Sequence, residues 1–190
     1  MARQAFDLLN QRLTTSEPMH SIEVGAMETA EVFRNIHSML THTANISRLL
    51  WPGNKQKSAR KQRAEALRLL LDLPADDHLL SDRTLRDDLE HFDERLDRWT
   101  TSSDAAPDYW QDCIGSWDVP HQQYGVKERN VMRHFDPSTQ IFRFQGRPWN
   151  IPEMIDAVQA LQHCVDAKVV QLISILYPQP DISPSPVIPE

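Results

Sequence analysis

Apolar positions recur at helical spacing over most of this chain. Phe6, Leu9 and Leu13 fall on one side of a short helix that Ser16-Glu17-Pro18 ends. From about Ser21 to Trp51, the stripe Ala26, Ala30, Phe33, His37, Leu40, Ala44, Ser47 and Trp51 alternates steps of four and three. That spacing predicts a long helix with a narrow face of small residues. Pro52-Gly53-Asn54 terminates it. Lys57 to Leu73 predicts a second long helix, basic, with Ala59, Ala66, Leu67, Leu70 and Leu71 on one side. A third, acidic helix carries Leu85, Leu89, Phe92, Leu96 and Trp99, the clearest period in the chain. Ser81 reads as its N-cap, with Asp82 in the first turn. The basic and acidic helices are expected to pack together.

Thr100 to Asn130 is polar, holds Pro107 and Pro120 and shows no sustained period, so it reads as a long connection anchored by Tyr109, Trp110, Trp117 and Tyr124. Val131–Phe135 and Ile141–Phe144 flank Asp136-Pro137-Ser138-Thr139, a turn composition, and predict a small hairpin over about 131–145 closed by Gly146-Arg147-Pro148. Asn150 then caps a last helix with Pro152 in its first turn and Glu153 three residues after the cap. Ile151, Ile155, Val158, Leu161, Val165, Val169, Leu172 and Leu176 give it a broad apolar face. The predicted fold is mainly α: one domain over 1–177, a helical bundle of four to five helices with a small β-hairpin before the last long helix. The proline-rich strip 178–190 is expected to be extended or disordered.

Composition narrows the possibilities. Five glycines, against about 13 expected from average usage at this length, agree with helices. A net charge of −7 argues against a general nucleic-acid coat protein while leaving room for a local basic site. Cys113 and Cys164 are too few for a disulfide scaffold or a four-cysteine zinc site. No apolar run approaches the ~18 residues of a membrane span, and Met1–Asn10 has no signal pattern, so the expectation is a cytoplasmic chain without a membrane role. Dinucleotide, phosphate-loop, zinc-protease and serine-hydrolase motifs are all missing. One Asp88-x-x-His91 falls short of the paired elements of a di-iron bundle, so no metal or cofactor is expected.

The acidic helix does hold one motif with chemistry in it, Arg86-Asp87-Asp88-Leu89-Glu90-His91. Cleavage of RNA by its own 2′-hydroxyl needs a group that moves protons near neutrality, as imidazole does, and a fixed cation on the phosphate, as guanidinium is. Arg86-Asp87-x-x-x-His91 resembles the Arg-x4–6-His signature of the HEPN superfamily. The resemblance covers about residues 20–100 and extends to 150–177. It implies a helical bundle that works as a homodimer. It further implies a metal-independent endoribonuclease of the toxin–antitoxin, phage-defence or RNA-processing kind, with RNA as substrate and an antitoxin or other protein as partner. His91 would be the acid/base, Arg86 the phosphate clamp and Asp87 the orienter. On a straight helix Arg86 and His91 stand roughly 140° apart, so they meet only across a two-fold axis. Arg133-His134-Phe135-Asp136-Pro137 with its hairpin and helix is similar to an uncharacterised bacterial family.

Duller readings stay open. His91 with Asp88 or Arg95, and Arg86 with Glu90, have the spacing of surface pairs. His37, Thr41 and Asn45 form a polar ridge that lines the same cavity or a seam between helices. Arg133, Arg143 and Arg147, interleaved with Phe135, Phe142, Phe144 and Trp149, suit single-stranded RNA. They suit better a hairpin whose aromatics face the core and whose arginines are solvated. The rival function is a non-catalytic helical module that binds a protein or ligand.

Overall fold

Helical spacing in the sequence becomes α1 (Ala2–Thr15), α2 (Ile22–Leu50), α3 (Ser58–Leu70), α4 (Phe92–Thr100) and α5 (Ile151–Leu176). These are the helices of a computed structural model that describes residues 2–15, 22–53, 57–82, 84, 87–88, 91–101 and 110–178, without the side chains of 12–15 and 22–28. The fold is mostly helical. It also contains a four-stranded sheet, which corrects the expected hairpin: β1 (Trp110–Ile114), β2 (Val131–Asp136), β3 (Ile141–Phe144) and β4 (Arg147–Asn150), in that order. β2, β3 and β4 pair antiparallel, whereas β1 runs parallel to β2, with Asp112 opposite Arg133 and Cys113 opposite His134. A parallel neighbour needs a crossover of a dozen or more residues. Residues 115–130 supply it and include Trp117.

The turns explain the extra strand. Gln145 and Gly146 both have positive φ, 49° and 81°, as a two-residue hairpin turn between right-twisted strands requires. Pro148, which donates no backbone hydrogen bond, sits in β4, an edge strand where that is tolerated. Asp136 fixes the preceding turn: its Oδ1 accepts from the Ser138 amide (2.9 Å) and hydroxyl (2.6 Å).

The main core joins α1, α2, α4, the sheet and the start of α5 around Leu9, Phe33, Ile36, Met39, Trp99, Phe135, Phe142, Phe144 and Ile151. Each fully buried side chain of this size contributes about 2 kcal/mol of transfer free energy. α2 buries Val32, Phe33, Ile36, Met39, Leu40, Thr43, Ala44, Ser47 and Leu50, a wider face than the predicted stripe, and it leaves Ala30 and His37 exposed. Thr43 fits inside because its hydroxyl donates to the Met39 carbonyl (3.0 Å). A second cluster of Leu50, Trp51, Leu71, Leu80 and Leu161 docks the end of α3 on the end of α2. Arg60, Lys61 and Arg63 of α3 are exposed.

Asn150 caps α5 as expected, accepting from the Glu153 amide (3.3 Å) while donating to the Glu153 carboxylate (2.8 Å). Beyond Lys168 this helix leaves the core, and Val169, Val170, Leu172, Ile173, Ile175 and Leu176 are all exposed. Among the described residues no helix is long and apolar enough to cross a membrane. The expectation for the proline-rich strip falls on 179–190, outside the described residues.

Candidate functional site

The acidic segment is not one continuous helix. Leu79–Ser81 form a single 3-10 turn, capped by His78 Nδ1 accepting from the Leu80 amide (3.1 Å). Ser81 therefore ends a turn instead of capping a helix, and the carboxylate of Asp82 accepts from the Thr84 amide (2.8 Å) and hydroxyl (2.7 Å). Thr84, Asp87 and Asp88 are helical, and the helical path is interrupted at His91. There the backbone leaves the helical region (φ −108°, ψ 35°), and α4 restarts at Phe92. The His91 amide still donates to the Asp87 carbonyl (3.2 Å), and its carbonyl accepts from Arg95 (2.9 Å).

Of the three motif residues, Asp87 and His91 are exposed at this break, and Arg86 lies outside the described residues. His91 Nδ1 stands 3.5 Å from Glu94 Oε1. Asp88, half-buried, holds Arg95 (3.1 Å) and Arg147 (3.7 Å), tying the segment to β4. A cleft of about 420 Å³ opens here between Ser81, Asp82, Thr84, Asp87, Asp88 and Arg95. His37, Thr41 and Asn45 do not reach it: all three are exposed on α2, and His37 lines a different cleft with Asp112 and Arg133. Partial burial and the Arg133 charge hold the His37 pKa below the usual imidazole value.

The three arginines proposed for RNA have different surroundings. Arg133 is half-buried, with its guanidinium between the rings of Phe33 (4.9 Å) and Phe92 (5.1 Å). Two hydrogen bonds join it to Asp112, at 2.6 and 2.7 Å. This is an internal strut between β1, β2 and the helices. Arg143 lies on the opposite sheet face, stacked 4.6 Å from the Trp117 ring. Arg147 is exposed, above Trp149 at 5.9 Å.

Trp117 organises that second face. His121 and His134 both meet its ring edge-on, at 4.2 and 4.8 Å. His134 is fully buried, with its ring beside the backbone of Gly115 and Ser116. Burial, with the Arg143 charge adding to it, lowers its pKa to about 4 against the smaller opposing pull of Asp136. His121 Nδ1 contacts the Val126 carbonyl (2.5 Å). Burial also raises the Cys113 thiol, which leaves it little thiolate character. The Trp117 cluster has no sequence signal beyond a tryptophan in a loop.

Arg95 and Arg98 of α4 line a cavity of about 210 Å³ with Trp99, Arg129 and Gln145. The sequence offers Arg95 only as a surface partner of His91 and gives no signal that brings Arg95, Arg98 and Arg129 together, since the first two lie in a segment that is acidic overall. Among the described residues no three His, Cys, Asp or Glu side chains form a group that holds a metal ion. Comparison with protein-family models, curated proteins and solved structures finds no match, so the reading of function rests on the residues themselves.

Proposed function

We propose that this chain is a HEPN-like, metal-independent endoribonuclease acting as a cytoplasmic homodimer. His91 is the acid/base, Arg86 the phosphate clamp and Asp87 the orienter. The observation that carries the reading is the placement of His91, exposed where the helix breaks and restarts. An imidazole in that position withdraws the 2′-hydroxyl proton as its oxygen attacks phosphorus. The phosphorus–5′-oxygen bond then breaks, a proton returns to the leaving oxygen, and the products are a 2′,3′-cyclic phosphate and a 5′-hydroxyl.

Self-association has a surface to use. The apolar residues of α5 from Val169 to Leu176, with Tyr177, form a broad uncharged face interrupted on one side by Gln171 and Ser174. They present on the order of 700 Å², near the ~800 Å² each partner of a stable complex contributes. An exposed apolar face this large marks a contact surface, and an uncharged patch meets its own copy without like-charge repulsion.

One observation favours the rival, a non-catalytic module. Asp82, Asp87 and Asp88 line the cleft beside the motif, which suits a cationic protein segment, such as a partner's basic helix, better than a phosphate. Incubating the pure protein with single-stranded RNA and tRNA in EDTA, beside His91→Ala, separates the two. Cleavage to cyclic-phosphate ends that the substitution abolishes supports the nuclease. Equal cleavage by both proteins removes His91 from the chemistry, and no cleavage of any substrate favours the module.

A further inference from the structure

The two edges of the sheet are built differently. β4 carries Pro148, which donates no hydrogen bond, and the exposed charge of Arg147, two devices that keep a further strand away. β1 has neither: Trp110-Gln111-Asp112-Cys113-Ile114 holds no proline, lysine or arginine. Its one charge, Asp112, is paired with Arg133 of β2. Among the described residues nothing hydrogen-bonds to β1 from the side away from β2. At ~3.3 Å per residue, that edge presents amides and carbonyls over about 17 Å.

A groove runs beside the same edge. Ala30, Phe33, Arg34, His37 and Ser38 fall at i, i+3, i+4, i+7 and i+8 on α2 and line a cleft of about 480 Å³, which Asp112 and Arg133 of the sheet complete. The sheet side is held in place, since Arg133 makes two hydrogen bonds to Asp112 and lies between the rings of Phe33 and Phe92. The helix side covers about 12 Å of axis, close to the length of four residues of extended chain. A strand added to β1 sends every second side chain to the α2 side of the sheet, about 7 Å apart, and so into this groove.

The lining sets which side chains fit. Ala30 and Phe33 offer apolar surface at one end, and His37 and Ser38, a turn further on, offer an imidazole and a hydroxyl. Partial burial and the Arg133 charge keep the His37 ring neutral at pH 7, and the same charge favours an anion beside it. Arg34 stands between the two ends. Its contact with Glu31 (3.4 Å) is a surface pair that a carboxylate in the groove replaces at small cost. We propose that the β1 edge and this groove bind an extended peptide segment of a partner protein as a fifth strand, with an apolar side chain over Ala30 and Phe33 and an acidic one, two positions away, beside Arg34 and His37. The β1 strand of a second copy fits less well, because its Asp112 is already tied to Arg133 and has no carboxylate to offer. The site lies outside the His91 motif and does not depend on the nuclease reading.

The test selects peptides on the full-length protein. A phage-displayed library of random linear decapeptides is panned on the wild type and on Ala30→Tyr, which fills the groove. Enriched peptides are synthesised with capped ends and titrated by fluorescence anisotropy against the wild type, Ala30→Tyr, Arg34→Gln and a control, Arg3→Gln on α1. All three replaced side chains are exposed, and circular dichroism checks that the variants fold. Expected is an enriched apolar-x-acidic pattern whose binding is weakened at least tenfold by Ala30→Tyr and at least threefold by Arg34→Gln, with no change in the control. N-methylating one alternate set of peptide amides abolishes binding while the other set tolerates it, and amides of β1 gain protection from hydrogen exchange on binding.

No peptide enriched on the wild type over Ala30→Tyr, or equal binding by all four proteins, overturns the site. Binding that survives N-methylation of either set overturns strand addition, as does slow exchange of every β1 amide in the peptide-free protein, which would mean that the edge is already paired. A uridine decanucleotide that binds saturably and displaces the peptide assigns the groove to RNA and overturns the peptide reading. His91→Ala keeps failures apart: the site predicts that this variant still binds the peptide, whatever becomes of cleavage.

Discussion

His134 is expected to make this protein acid-sensitive, and the size of the effect follows from its surroundings. The ring is fully buried against Trp117, with Arg143 opposite it across the strand pair and Asp136 two residues on. Its pKa falls from 6.5 to about 4, so the folded chain refuses a proton that the unfolded chain accepts. Above pH 6.5 both states are neutral at this site and it adds no pH dependence. Below 6.5 the unfolded state binds more protons, and stability falls by up to about 1.4 kcal/mol per pH unit until the folded ring also titrates near pH 4. At pH 5 the accumulated loss is about 2 kcal/mol, or about 1 M in urea midpoint for a slope of ~2 kcal/mol per M. The assay is urea unfolding followed by tryptophan fluorescence from pH 7.5 to 4.5, on the wild type and on His134→Phe. His37 and His78, whose pKa values are also lowered, contribute to both proteins and cancel in the difference. The midpoint difference between the two should therefore move by about 1 M in favour of the variant as pH drops from 7 to 5. Parallel curves would refute the assignment, as would an NMR titration in which the His134 ring protonates near pH 6.5.

Three further outcomes are expected. Asp112→Asn removes the carboxylate from a half-buried Arg133 and should cost about 2–3 kcal/mol in urea unfolding, most of it regained in the double variant Asp112→Leu/Arg133→Met. Gly146→Ala forces a side chain into φ +81°, 3.4 Å from the Glu128 Cβ, and should lower stability by about 1 kcal/mol, read as a drop in thermal midpoint. Ile173→Lys places a charge in the exposed apolar run of α5 and should convert a dimer to a monomer by light scattering, whereas a wild type that is monomeric at every concentration rejects the homodimer.

Local chemistry alone determined a good deal of this protein. The helices, the stop at Pro52-Gly53, the Asn150 cap and the Asp136 turn depend on residues within a few positions of one another, and those relations survive in any fold. Tertiary structure decided the rest. Trp110–Ile114 has no period of its own and is a strand because β2 offers it a ladder, with Asp112 meeting Arg133 across it. β4 was legible in principle, from Gln145-Gly146 between apolar strands, but its pairing rests on the φ values the turn adopts. Periodicity likewise ran straight through His91, because side-chain spacing does not register a break in the backbone. Arginines that looked alike in sequence, at 133, 143 and 147, became a half-buried strut, a stacked group on the second sheet face and an exposed side chain. Which of these an arginine becomes depends on the partner that folding brings to it, and those partners lie up to about a hundred residues away: Phe33 for Arg133, Trp117 for Arg143 and Asp88 for Arg147. The cavity at Arg95, Arg98 and Arg129 was hidden for the same reason, since a helix with more carboxylates than arginines still presents its cations together on one side.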